Sequence, residues 1–278
     1  MKIRLNKKLI IGYIGKRSIL ASFFVKNFNK KFIFKHYNGD IRDTNKINVW
    51  LNTNNDINIF INFAAITSVE DCQKYKKKAM DVNYKSVVKL LDSINKIKMS
   101  NFMYFLSLST SHVFKKSKYK LTEDSSKKPF NYYGCTKYNL EKYILKNKNK
   151  YKYKIGIARI FNYYNNGDKK GFFINDIIRK LKNNKKIMKF NNINTYRDYI
   201  SIENINNALF QMINLKLVND YNICSGKKIH LPDIVTHFNS ILKNKILKFD
   251  GAKSNNLVGS NRKLKKTGWK LIKQNIFN

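Results

Sequence analysis

Through its first 160 residues the chain alternates short apolar runs with longer amphipathic stretches. KLIIGYI (8–14), KFIFKHY (31–37), INIFINFAA (57–65), FMYFLSLS (102–109) and YKIGIARI (153–160) are rich in Ile, Phe and Tyr and too short for helices. Each therefore predicts a strand. Between them RSILASFFVKNF, the long DCQKYKKKAMDVNYKSVVKLLDSINK and YYGCTKYNLEKYIL carry helical patterns. Strand–helix–strand alternation predicts a parallel sheet with helices on both faces. Beyond residue 160 the order changes. Helical patterns at 173–184, 203–216 and 231–243 surround short strands such as KIMKF and DYNIC. The expected class is α/β: a doubly wound sheet over 1–160, to which some later elements return, and a smaller α+β substrate lobe over 161–278. Pro129 stands just before the helix that begins near Tyr132, and Pro232 just inside the start of the 231–243 helix, where proline is at home.

Length and composition agree with one large domain plus a lobe: 278 residues, 43% hydrophobic, can bury a sizeable core. The three cysteines are scattered and no metal-ligand spacing occurs, which fits a reducing compartment and no metal. The N-terminal stretch is basic and then apolar, but Lys16 and Arg17 break the apolar run early, so a signal peptide is not expected. No 18-residue apolar stretch exists, so a cytoplasmic protein is expected. The net charge of +39 raises the question of a polyanion partner. Only seven of the 56 basic residues are Arg, the preferred residue for bidentate phosphate and base contacts, and the Lys are spread along the whole chain. Lys, Asn and Ile are inflated together, as in AT-rich coding sequence. The charge reads as compositional drift that helps attract an anionic substrate, with no specific nucleic-acid partner.

Two stretches carry candidate chemistry. IIGYIGKRS sets Gly12 and Gly15, with Ser18 in place of a third glycine, between the first strand and the first helix. Such a turn brings backbone close to a pyrophosphate, and the helix N-terminus supplies N–H groups and the positive dipole end. By register Lys35 falls where an NAD-binding protein places a carboxylate for the ribose 2′-hydroxyl. A cation there suits a 2′-phosphate, hence NADPH in preference to NADH. Asp40 reads as an adenine contact. The second stretch, NYYGCTKYNLEK, holds Tyr133 and Lys137 four residues apart, but also Tyr138 and Lys142. With 17 Tyr and a Lys at roughly every sixth residue, about three such spacings arise by chance, so spacing alone decides nothing.

The surroundings do decide. INFAAITSVEDCQ (61–73), LSTSHVF (108–114) and NYYGCTK (131–137) fall in order at the ends of expected strands. Together with the glycine turn they resemble the Rossmann-type extended short-chain dehydrogenase/reductases that act on nucleotide sugars, the NAD-dependent epimerase/dehydratase superfamily. Within it they look most like dTDP-4-dehydrorhamnose reductases, with N-A-A-A-x-T-x-V-D-x-C-E, S-T-D-x-V-F and Y-G-x-x-K. In the C-terminal half, ARIFNYYNNG resembles R-x-x-N-x-Y-G-P with the Gly-Pro lost. TYRDYISIENI resembles R-D-[FY]-[IV]-x-V-x-D-[VI], DYNICSG resembles Y-N-[IV]-x-S-G, and LVGSNRKLKKTGWK resembles the closing D-x-S-K-L-x-x-L-G-W with Ser260 where Asp is usual.

The resemblance implies Thr110, Tyr133 and Lys137 as the catalytic set. It implies a cofactor held by Gly12, Ile14, Gly15, Lys35, Asp40, Ile41, Asn62, Ala64 and Ala65 together with Tyr133 and Lys137. Thr110, Ser111, Asn162 and Arg197 would meet the substrate, with Asn162 and Arg197 on its diphosphate. The expected activity is NAD(P)H-dependent reduction of a nucleotide-linked 4-keto-6-deoxy sugar, in surface-polysaccharide precursor synthesis, by a protein that could pair as a homodimer. A nucleotide-sugar epimerase shares every residue named. A 4,6-dehydratase reads T-D-E where this chain has Thr110-Ser111-His112. A non-catalytic dinucleotide-sensing or nucleic-acid-binding module is the remote alternative.

Overall fold

The computed structural model describes residues 8–97, 99, 101–164, 173–183, 186–191, 193–242, 245–251 and 256–277. In chain order the first elements are β1 (Ile10–Ile14), α1 (Ile19–Phe28), β2 (Ile33–Tyr37), α2 (Thr44–Thr53), β3 (Ile59–Asn62), α3 (Val69–Lys74), α4 (Lys76–Met80), α5 (Ser86–Lys96), β4 (Tyr104–Thr110), α6 (Tyr132–Asn147) and β5 (Lys154–Ile160). There follow β6 (Asn162–Tyr164), α7 (Phe173–Leu181), β7 (Ile187–Asn191), β8 (Tyr196–Arg197), β9 (Tyr199–Ser201) and α8 (Ile202–Asn214). The last are β10 (Asn219–Ile223), β11 (Ile229–His230), α9 (Leu231–Leu242), β12 (Ile246–Asp250) and α10 (Arg262–Lys265).

The chain packs as two compact units. The first holds residues up to Val113, Pro129–Arg159 and Leu209–Tyr221; the second holds Phe114–Lys128, Ile160–Ala208 and Asn222 onward. The chain passes from the first unit to the second at Arg159–Ile160, returns at Ala208–Leu209 and leaves again at Tyr221–Asn222. Residues 114–128 were expected with the sheet. They pack in the second unit, where Ser117 and Asn256 exchange backbone hydrogen bonds and Leu121 bonds to Val258.

The sheet of the first unit has six strands in the order β10-β5-β4-β3-β1-β2, with β1 parallel to β2 and to β3, and β3 parallel to β4. Of its two middle strands, β4 is buried at all seven positions. From β1 the chain moves outward to β2 and then back across to β3. Strand order therefore reverses between β1 and β3, and at such a switch point the carboxyl ends of the strands open a crevice.

Two features depart from the sequence pattern. Helix α2 was not visible in it, because TNKINVWLNT buries only Ile47 and Leu51 and is otherwise polar. Asp43 starts it by accepting a hydrogen bond from the Lys46 N–H. The long helix expected over 71–96 is interrupted at Tyr75 (φ −115°, ψ 56°) and again by a π-turn at Asp81–Lys85. Such bulges often sit at functional sites. Here the turn carries Asn83, fully buried, inward.

Arg159, at the end of β5, has no exposed surface. Its Nε and Nη2 meet both carboxylate oxygens of Glu141 on α6 at 2.8–3.0 Å, and Nη2 also bonds Asp220 on β10. A fork of guanidinium donors suits two carboxylates at once. Removing one member of such a buried set leaves a charge without compensation. Arg159→Met should therefore destabilise the first unit by about 3–5 kcal/mol, read as a lowered midpoint in urea unfolding. The double change Arg159→Met with Glu141→Gln should recover part of that loss.

Candidate active site

At the switch point the turn after β1 is shaped by Gly15. Its φ of +91° is a left-handed value, and a Cβ there would lie 2.5 Å from the Ala64 backbone nitrogen. Only glycine lets the turn after β1 lie this close to the loop after β3. Ser18 caps α1 without a side-chain hydrogen bond, so its hydroxyl does not occupy the first-turn N–H groups, and Lys16 and Arg17 are exposed beside them. This glycine cradle and helix N-terminus fit the pyrophosphate of a dinucleotide. Asn62 ends β3 and accepts a hydrogen bond from the Ala64 N–H at 3.0 Å, which shapes the Ala64–Ala65 turn facing Gly15. Asn83 of the π-turn then clamps the same loop. It accepts from the Ile66 N–H at 2.8 Å and donates to the Ile66 carbonyl at 2.9 Å. It also reaches Thr136 Oγ1 on α6 at 3.1 Å.

Other residues expected at the cofactor are packed or paired within the first unit. Gly12 is inside β1, where a Cβ would crowd Ile57 and Phe60, so its smallness serves packing. Ile14 is the buried last residue of that strand, and Ile41 buries its side chain in the cluster that includes Tyr37, Ile47 and Leu51. Lys35 does not end β2. It pairs in register with Gly12, two residues short of the strand end at Tyr37, and its Nζ binds both oxygens of Asp56 at 2.8 Å. Lys35 is thus not the last residue of β2, because the strand runs on through His36 and Tyr37. Asp40 is held by Arg42, whose guanidinium keeps its carboxyl below the usual range.

The two Tyr–Lys pairs of α6 separate cleanly. The buried face of the helix is Gly134, Thr136, Lys137, Leu140, Glu141 and Ile144. Lys137 is on that face and is 3% exposed, whereas Lys142 faces solvent. The Lys137 ammonium donates to the Leu108 carbonyl of β4 at 2.9 Å. Burial pushes it down to about 8, and Glu141 and then Cys72 oppose that shift. Thr110 closes β4, buried, and its Oγ1 accepts from the His112 N–H at 3.3 Å. Ser111 begins the short turn after it and is buried. The first turn of α6 lies against that turn. A Cβ on Gly134 would collide with the His112 carbonyl, so the glycine beside Tyr133 permits the contact. Asn131 caps the helix, accepting from the Gly134 N–H at 2.8 Å. An ammonium, a phenol and a hydroxyl at the carboxyl end of β4 can polarise a carbonyl and deliver a proton to it.

In the second unit, Arg197 donates from Nη1 to Thr195 Oγ1 at 2.6 Å and to the Tyr196 carbonyl at 2.9 Å. Burial lowers its pKa and that of Lys116, and Arg197 lowers the latter further. Asn162 donates weakly to the Asp198 carbonyl, at 3.4 Å, so the structure brings Asn162 beside the Arg197–Asp198 corner. The part of ARIFNYYNNG after Tyr164 lies outside the described residues. Sequence reasoning missed Asp198, which is fully buried and accepts from Ser225 N and Oγ, Gly226 N and Gly259 N. Burial pushes it up to about 6 against those bonds. It ties the β10–β11 loop and the 257–260 segment to the strand that carries Arg197. Its adjacency to Arg197 was the one available signal. Among the described residues no cluster of His, Cys, Asp or Glu is placed to hold a metal, and no helix is long and apolar enough to cross a membrane.

The family described as GDP-mannose 4,6 dehydratase matches residues 18–273. The chain belongs to that family. It is thus an enzyme of the NAD-dependent epimerase/dehydratase group of extended short-chain dehydrogenases/reductases, as its motifs implied. No curated protein sequence matches it. Among solved structures it is similar to RMD from Pseudomonas aeruginosa, complexed with NADPH, at TM-score 0.81 and 17% identity over 95% of this chain and 94% of that one. It is also similar to UDP-glucose 4-epimerase from Thermus thermophilus, complexed with NAD, at TM-score 0.80 and 16% identity over 95% and 94%. A third is TunA, an NAD-dependent NDP-hexosamine 5,6-dehydratase of tunicamycin biosynthesis, at TM-score 0.80 and 15% identity over 94% and 91%. At these identities the likeness is one of fold.

The buried ammonium has a testable consequence. Lys137 is lowered from 10.5 to about 8, so between these values the unfolded chain holds a proton that the folded chain lacks. Stability then rises with pH through that window and carries the cost of the buried charge below it. The stability difference between wild type and Lys137→Met should shift toward wild type from pH 8 to 10.5, as measured by denaturant unfolding at several pH values.

Proposed function

We infer that the enzyme reduces the 4-keto group of a nucleotide-linked 6-deoxy sugar, in the manner of dTDP-4-dehydrorhamnose reductases. The observation that carries this reading is the Tyr133–Lys137 pair on the helix packed against the end of β4, beside Thr110, while Lys142 of the rival pair faces solvent. Tyr133 is the proton donor to the ketone oxygen, and Thr110 holds that oxygen. Lys137, still an ammonium at neutral pH, favours the tyrosinate that forms. Gly15 and the α1 N-terminus would hold the pyrophosphate of a bound nicotinamide dinucleotide and Lys137 its ribose, with Ala64 and Ala65 alongside, and that cofactor would supply the hydride. Arg197 and Asn162 take the sugar nucleotide's diphosphate. Thr110-Ser111-His112 lacks the two carboxylates of a T-D-E dehydratase, which supports reduction over dehydration. Similarity to UDP-glucose 4-epimerases favours an epimerase as the second reading. The two differ in whether the reduced cofactor is consumed in proportion to product.

Incubation with NADPH and a panel of 4-keto-6-deoxy nucleotide sugars, followed at the absorbance of the reduced cofactor, should show stoichiometric oxidation. Tyr133→Phe should lower turnover on the order of 10²–10⁴-fold with the fold intact, while Tyr138→Phe changes little. Equal effects would mean that the wrong pair has been chosen.

NADPH is the preferred cofactor in this reading, on new grounds. No carboxylate follows directly on β2, where the chain reads Tyr37-Asn38-Gly39. Asp40 is engaged by Arg42, and Lys16 and Arg17 are exposed on the pyrophosphate turn. Titration should give tighter binding of NADPH than NADH, and Lys35→Ala should leave that ratio unchanged because its ammonium serves Asp56. Arg197→Ala should weaken nucleotide-sugar binding by about 2–5 kcal/mol in calorimetry, the magnitude for removing one partner of a buried charged contact.

A further inference from the structure

We propose that His112 is the positioning residue of the proton donor, acting as the neutral ring with its proton on Nε2. The inference rests on the reading of Tyr133 given above. Several contacts converge on His112. Its N–H donates to Thr110 Oγ1, and its carbonyl is the surface against which Gly134 packs. Its ring stands edge-on to Tyr133 with centroids 5.6 Å apart and planes at 71°, and its Nδ1 lies 2.9 Å from Asn131 Nδ2.

The state of the ring follows from hydrogen-bond logic. A backbone N–H can only donate, so the Gly134 N–H fixes which end of the Asn131 amide is oxygen. The other end, Nδ2, is then a donor, and it points at His112 Nδ1. That nitrogen must accept, so it carries no proton, and the neutral ring is protonated at Nε2. An imidazolium, with donors at both nitrogens, would face the Asn131 amide donor to donor. The amide would then have to turn away and leave either the ring or the helix cap. Through this one side chain the ring's proton is coupled to the first turn of α6, where Tyr133 is the second residue. Against the ring stand Tyr133 and Asn131 from α6 and Phe130 from the loop before it; of these Tyr133 titrates.

Asn131→Asp isolates the coupling. The carboxylate still caps the Gly134 N–H but has no proton to give His112. Two-dimensional ¹⁵N NMR of the histidine side chains should show the Nε2–H form at His112 in wild type. In Asn131→Asp it should show the Nδ1–H or charged form, with titration at higher pH. The acid limb of kcat should move up in pH in that variant while KM for the sugar nucleotide holds. His112→Leu, which offers no acceptor, should lower kcat about tenfold at neutral pH. His112→Asn, whose Oδ1 accepts near the place of Nδ1 and never titrates, should restore turnover and flatten the acid limb. A merely structural role would lower stability in each variant without moving tautomer or pH profile. An Nδ1–H ring in wild type, or a tautomer and acid limb unmoved in Asn131→Asp, would overturn the proposal. Undiminished turnover in Tyr133→Phe would instead remove the reading of Tyr133, whatever the NMR shows.

Discussion

The arrangement of the first unit depends on one buried guanidinium. Arg159 is the largest fully buried side chain among the described residues, and it is neutralised from two directions, by Glu141 on α6 and Asp220 on β10. A charge of that size cannot stay in an apolar interior without partners. Both partners must therefore come to β5, and in coming they fix the rotation of α6 and the edge of the sheet. Glu141 is one turn beyond Lys137 on the same helix face, so the rotation that delivers Glu141 to Arg159 also delivers Lys137 to the Leu108 carbonyl. The four ionised groups sum to zero charge, with the Lys137 ammonium offsetting the second carboxylate.

The first turn of α6 is placed by contact. Gly134 lets the helix approach the turn after β4 until backbone meets backbone. Asn131 then ties the helix start to His112, and Asn83 ties Thr136 to the loop after β3. The loop that faces the Gly15 turn and the helix that carries Tyr133 share one buried amide. Asn83 bonds to both, and the π-turn at Asp81–Lys85 is where the helix departs from α geometry to set that amide inward.

The sequence by itself determined much of this. Five apolar runs became the sheet strands β1 to β5, because short runs rich in Ile, Phe and Tyr flanked by turns have no other way to bury themselves. The motifs at the strand ends were legible, and the structure brings Gly15 against the loop after β3 and Lys137 to the end of β4. Helix α2 was not, its propensity being weak and its formation owed to packing on Tyr37 and Phe60 within the core cluster. Tertiary structure also decided what spacing could not. Register along β2 set Lys35 two residues short of the strand end and against Asp56, because one strand pairing fixes every residue on it. Burial separated Lys137 from Lys142, since a helix has one face toward the sheet. The bonding of Arg159, Asn83, Asp198 and His112 joins residues far apart in the chain. No local pattern encodes such partners, because only the folded chain removes them from water and obliges them to find one another.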